Sequence, residues 1–166
     1  MRQGCVLFTG EYEHTIDAKQ RLAIPAEVRS RLDPELHGHG FYAVPGPNGA
    51  LWLWPALTFE QMAGAMEQSL LPGEEMMEFE ELLFSQAARV ELDKAGRVRL
   101  PERLTQFAGL GQTVVILGVK DHLELRDAGA WQSRRREKLS KHGEIVLRAR
   151  RALTEQQRQQ PKEGRP

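Results

Sequence analysis

A nine-residue pattern is written twice in this chain. Asp17 to Pro25 reads DAKQRLAIP and Asp93 to Pro101 reads DKAGRVRLP, so D-x-x-x-R-h-x-h-P, with h aliphatic, recurs 76 residues on. What surrounds it recurs too. Ile16 and Leu92 precede the two Asp residues. Helix-compatible stretches follow, AEVRSRL from Ala26 and ERLTQFAGL from Glu102. Then come two apolar strand candidates, FYAVP and TVVILG, and two more, LWLWP and LELRD. Phe59 and Trp131 each stand four residues beyond these and open another helix-compatible stretch. A repeat of this size sets the architecture before any single element is assigned.

Each half therefore reads strand, turn, strand, short helix, strand, turn, strand. Glu13–Ile16 and Arg21–Ile24 alternate around Asp17-Ala18-Lys19-Gln20, as Val90, Leu92 and Arg97–Leu100 do around Asp93-Lys94-Ala95-Gly96. Asp suits the first turn position, where its carboxylate accepts backbone N–H bonds. Gly96 takes a positive φ at low cost, whereas Gln20 in the matching place is strained unless the first turn differs. Pro25 and Pro101 suit the first turn of the following helices. Strands this short do not stand alone. The duplication lets one chain supply both halves of a pseudo-symmetric barrel, and the expected class is α+β.

The boundaries expected are a first unit at 8–59, a helical connector at 60–85, a second unit at 86–131, a C-terminal helix at 132–153 and a disordered tail at 154–166. The connector has Met62, Met66 and Leu70, then Met76, Phe79, Leu83 and Phe84, at helical spacing for core packing, with a break near Leu71-Pro72-Gly73. The whole chain has 23 basic and 23 acidic side chains, so its net charge is silent about nucleic acid. The distribution is not. Glu60 to Glu81 holds seven Glu and no Lys or Arg, while Gln132 to Pro166 holds 11 Lys and Arg against four Glu. The basic segment reads either as a solvated face or as a contact for DNA phosphates.

Cys5 is alone, so no internal disulfide forms, and no apolar run approaches the roughly 20 residues of a membrane span. The chain reads as soluble and cytoplasmic. No P-loop, G-x-G-x-x-G, H-E-x-x-H or G-x-S-x-G is present, so neither an enzyme nor a cofactor is expected. His37-Gly38-His39 has no Cys nearby to complete a metal site.

The chain resembles the MraZ family in Gly10–Pro25 (GEYEHTIDAKQRLAIP), Leu51–Pro55, Val90–Pro101 (VELDKAGRVRLP) and Ala108–Leu125. The resemblance spans roughly Phe8 to Trp131. It implies a tandem duplicated AbrB-like double swapped-hairpin β-barrel with flanking helices. It also implies a ring-shaped homo-oligomer that binds direct repeats of double-stranded DNA in the promoter of the division and cell-wall gene cluster, on the nucleoid. The D-x-x-x-R loops would face the duplex. Three departures stand out. The family usually has Gly where this chain has Gln20. Arg99 adds a charge to the second motif. The tail after about Arg148 has no counterpart. Relatives usually begin one residue before the Phe matching Phe8, so the natural start is expected at Leu7, read from a non-AUG codon, with Met1–Val6 a spurious prefix.

The residues themselves suit DNA. A two-stranded β ribbon fits the major groove. Arg21 and Arg97 are the candidate base readers, Arg99 adds a cation, and Lys19 and Lys94 suit phosphates. Asp17 and Asp93 are expected to orient the turns. An internal Asp–Arg salt bridge is the competing role for each Arg. The rival function is an antitoxin-like or scaffold module, with the acidic Glu60–Glu81 stretch as the partner surface.

Overall fold

The computed structural model describes residues 6–66, 70 and 73–159. The prefix Met1–Cys5, the expected break at Leu71-Pro72 and the last seven residues lie outside them.

The strands are β1 (Glu11–Thr15), β2 (Arg21–Ala23), β3 (Gly40–Pro45), β4 (Leu51–Pro55), β5 (Ala88–Glu91), β6 (Arg97–Arg99), β7 (Thr113–Val119) and β8 (His122–Asp127). The helices are α1 (Ala26–Arg29), α2 (Pro34–His37), α3 (Ala56–Gly64), α4 (Glu74–Gln86), α5 (Glu102–Phe107), α6 (Ala128–Ser140) and α7 (His142–Gln159). The chain divides into two compact units, 1–128 and 129–166.

In the first unit the fold is α+β, and every strand pair is antiparallel. Six strands form one sheet in the order β1-β7-β8-β4-β3-β5, and β2 and β6 form a separate two-stranded ribbon. The first strand of each half pairs with the other half's third strand, β1 with β7 and β5 with β3. The ribbon is symmetric about Leu22 opposite Val98. The β4–β8 pairing is symmetric about Trp52 opposite Glu124, with Leu51 facing Leu125 and Leu53 facing Leu123. The two halves are thus related by a local two-fold axis through both pairs.

The expected barrel is not closed by hydrogen bonds: β1 and β5 remain the edges of the large sheet. The reason is local. Past β1 the chain makes only an isolated bridge, Ile16 to Leu22, before the turn carries it into the ribbon. Side-chain packing closes the space instead. Leu22, Val98, Ile24, Leu100, Phe41, Leu53, Ile116, Leu123 and Leu125 share one buried core. Val6 and Phe8 join it, and Phe8 N–H donates to the Lys120 carbonyl.

The helices start where expected, with a one-residue shift. Pro25 and Pro101 are the residues before the first turns of α1 and α5, in extended backbone. The short α2 has no counterpart in the repeat pattern. Asp33 caps it, accepting from Glu35 N–H at 2.9 Å. His37 is buried, and its Nδ1 accepts from the Asp33 N–H. That ring nitrogen is committed to the backbone, which removes it from any metal site with His39.

The connector departs from the core-packing expectation. α4 has no buried residue, and Met76, Met77, Phe79, Leu82 and Phe84 are all exposed. Phe79, Leu83 and Phe84 join Met62, Met66 and Trp54 around an apolar cavity of about 360 Å³. Helical spacing marks an apolar face without saying which chain covers it. In the second unit α7 runs to Gln159, beyond the expected end near Leu153. Glu, Gln and Arg are good helix formers, and that propensity outweighs the low-complexity composition.

Candidate nucleic-acid interface

Asp17 builds the first turn. Its N–H donates to the Arg21 carbonyl at 3.0 Å, and its own carbonyl accepts from Gln20 N–H at 2.9 Å. Asp17 Oδ1 accepts from the N–H groups of Lys19 and Arg21, both at 2.9 Å. Asp17 Oδ2 accepts from Arg21 Nε at 2.7 Å. The second turn repeats this bond for bond. Asp93 Oδ1 accepts from the N–H groups of Ala95 and Arg97, and Oδ2 accepts from Arg97 Nε at 2.9 Å. The Arg21 backbone N–H, helped by the Arg21 guanidinium and the Lys19 N–H, holds the Asp17 carboxyl below the usual range against the opposing effect of burial, and Arg97 and the Ala95 N–H do the same for Asp93. Both are carboxylates at neutral pH.

The salt bridge therefore leaves part of each guanidinium open. Each bridge uses Nε alone. Among the described residues neither terminal nitrogen of Arg21 or Arg97 takes a partner. The two side chains stay about one-third exposed, at 32% and 35%. The carboxylate fixes the stem and the guanidinium fork remains available, which suits bidentate bonding to guanine or phosphate.

The ribbon register gathers the cations. Leu22 and Val98 point into the core. Residues directly opposite each other in an antiparallel pair share a face. Arg21 faces Arg99 and Ala23 faces Arg97, so all three Arg residues lie on the outer face. Like charges opposite one another are destabilising. Among the described residues no carboxylate partners Arg99. Lys19 and Lys94 are exposed in the turns, at opposite ends of the ribbon. Turns and ribbon together hold five cations against two carboxylates, an excess that an anionic ligand would relieve.

Gln20 adopts the left-handed backbone, at φ 61°, as Gly96 does at φ 74°. The conformation is required in both turns. It aims the Gln20 carbonyl at Leu100 N–H, 2.8 Å away, and the Gly96 carbonyl at Ile24 N–H, 2.9 Å away, so each turn is tied to the other half's strand.

One functional candidate escaped the sequence reading. Arg29 of α1 lies over the second turn. Its guanidinium stands 2.6 Å from where a Cβ on Gly96 would be, and its Nε donates to the Ile24 carbonyl at 3.0 Å. The residue at the same offset in the second half is Thr105, whose hydroxyl lies 3.4 Å from Gln20 Oε1. A long side chain covers the glycine and a short one makes room for the glutamine. The signal was present: both exchanges occur at the repeat's 76-residue offset.

On the sheet, His122 is stacked on Trp54, with ring centroids 4.4 Å apart. Its Nδ1 is 2.9 Å from Asp121, and its Nε2 is 3.7 Å from Glu124, an ion-pair separation. Glu124 accepts from Arg126 Nε and Nη2, and Arg126 Nη1 donates to the Asn48 carbonyl. Burial pushes the Glu124 carboxyl up, but His122 and Arg126 outweigh it and bring it down to about 2. This buried network locks β8 to the β3–β4 loop. Among the described residues no cluster of metal-ligating side chains is present, and no helix is long and apolar enough to cross a membrane.

A family model described as "MraZ protein, putative antitoxin-like" matches residues 7–77 and 83–149. A protein of Roseiflexus castenholzii named "Transcriptional regulator MraZ" is 38% identical over 127 residues, 76% of this chain and 85% of that one. Proteins of the same name from Lactiplantibacillus plantarum and Symbiobacterium thermophilum are 37% and 36% identical. These cover 76% and 74% of this chain, and 86% and 85% of their own.

Proposed function

Because the chain belongs to the MraZ family, we propose that it is a transcriptional regulator that grips double-stranded DNA through the outer face of the β2–β6 ribbon. The observation that carries this reading is the convergence of Arg21, Arg97 and Arg99 on that face, with the forks of the first two left open by their Asp partners. Arg21 and Arg97 read guanine edges in the major groove. Lys19, Lys94 and Arg99 neutralise phosphates and set orientation and salt dependence. The exchange of first strands between the halves supports an AbrB-like swapped-hairpin origin.

The working form is a ring-shaped homo-oligomer on direct repeats in the promoter of the division and cell-wall gene cluster, so that spaced sites are held by avidity. The exposed apolar residues of α4 support an assembly, since contiguous exposed apolar surface marks interfaces. The same helix favours the second reading, an antitoxin-like or scaffold module, in which a different protein covers α4.

Footprinting the purified protein on the DNA upstream of its own gene tests the proposal. Protection of evenly spaced elements is expected. Arg21→Ala and Arg97→Ala should each weaken binding while leaving oligomer mass and melting unchanged. Full-strength binding by both variants at physiological salt would refute the assigned readout.

A further inference from the structure

We infer that Arg29, lent by the first half to the second hairpin tip, is a further phosphate contact and does there what Arg99 does across the ribbon for the first tip. The inference rests on the duplex-binding reading.

The two tips draw their third cation from different places. The second tip has Lys94 and Arg97, with Ala23 opposite Arg97 on the ribbon, and Arg29 lies against Gly96. The first has Lys19 and Arg21, with Arg99 opposite Arg21 on the ribbon and Thr105 where Arg29 would be. Each tip has one Asp, and each Asp is committed to its own Arg. Each turn therefore has three cations around it only if Arg29 is included in the second set.

Arg29 is built to present its charge outward. It is an exposed residue whose Nε is anchored on the Ile24 carbonyl, and among the described residues its terminal nitrogens have no partner. An anchored stem with an open fork is the arrangement already seen in Arg21 and Arg97. The absence of a side chain at Gly96 is what lets the guanidinium settle on the turn. At the first turn the Gln20 side chain occupies the equivalent position and keeps Thr105 short. Gln in place of Gly in the first turn thus goes with Thr105 in place of an Arg on the helix, and Arg99 across the ribbon is the third cation there instead.

The test is the salt dependence of binding to a mixed-sequence duplex, read by fluorescence anisotropy with the full chain. Each phosphate contact contributes about −0.9 to the slope of log affinity against log salt, or about fivefold in affinity near 0.15 M salt. Arg29→Gln should flatten the slope by about that amount for each second tip on the duplex. Arg29→Lys should keep the wild-type slope. A merely structural Arg29 would give Gln and Lys variants equal slopes. The double variant Gln20→Gly with Thr105→Arg adds a cation to the first tip in the place Arg29 holds at the second and should steepen the slope, a gain that no folding defect produces. Unchanged slopes in both Arg29→Gln and the double variant, with wild type binding normally, would overturn the inference alone. Failure of the wild type to bind any duplex would overturn the inference together with the proposed function.

Discussion

Gly96 and Gln20 are equivalent positions, and their exchange should shift stability in opposite directions. Consider Gly96→Ala. At φ 74° an L side chain costs about 1–2 kcal/mol. The lower freedom of Ala in the unfolded chain returns roughly 0.5–1 kcal/mol. The new Cβ would sit 2.6 Å from the Arg29 guanidinium, which must move and so weakens its bond to the Ile24 carbonyl, a loss of about 1 kcal/mol. The net is a destabilisation of about 1–2 kcal/mol, or roughly 3–6 °C in Tm for a chain of this size. Gln20→Gly runs the other way. It relieves the strain of φ 61° at the expense of unfolded-chain freedom and of a 3.4 Å contact with Thr105. A gain of about 0.5–1 kcal/mol follows, or roughly 2–3 °C. Thermal melts by circular dichroism at one protein concentration give both numbers. Adding Arg29→Ala to Gly96→Ala should recover the clash component, a coupling that a double-mutant cycle isolates. Shifts of the same sign at the two positions, or a neutral Gly96→Ala, would refute the reasoning.

Three further outcomes are expected. Asp93→Asn removes the charge that anchors Arg97 Nε but deletes no cation, so duplex affinity should fall with no flattening of the salt slope; a flattened slope would show that Asp93 does more than orient. Glu124→Gln leaves Arg126 buried beside a neutral partner and should cost about 3 kcal/mol in a denaturant titration. The lowered Glu124 carboxyl contributes stability that is full above its unfolded value of 4.5 and lost as pH falls toward about 2, so wild type should lose stability across that window and the Gln variant should lose less. Replacing both Met76 and Phe79 by Ser removes exposed apolar surface from α4 and should lower the oligomer's mass in solution without lowering the melting temperature of the single chain. An unchanged mass would place the assembly surface elsewhere.

Much of this protein is decided within spans of four or five residues, and those parts are legible in the sequence. The two turns are the clearest case. An Asp bonding N–H groups two and four residues on, and a left-handed residue three places on, are local demands that the D-x-x-x-R pattern states directly. The alternation of β1, β2, β5 and β6 and the short apolar runs of β3, β4, β7 and β8 are local in the same sense. What the sequence could not decide is which strands meet and which faces stay uncovered. Arg21 stands opposite Arg99 because a strand of one half pairs with a strand about 76 residues away, and no pattern inside either half specifies that register. The open large sheet, the resting place of Arg29 on Gly96 and the exposure of α4 follow from the same cross-half packing. Turn geometry is set by neighbours along the chain. The charged face exists only after burial of Leu22 against Val98 has fixed which side of the ribbon is left for solvent.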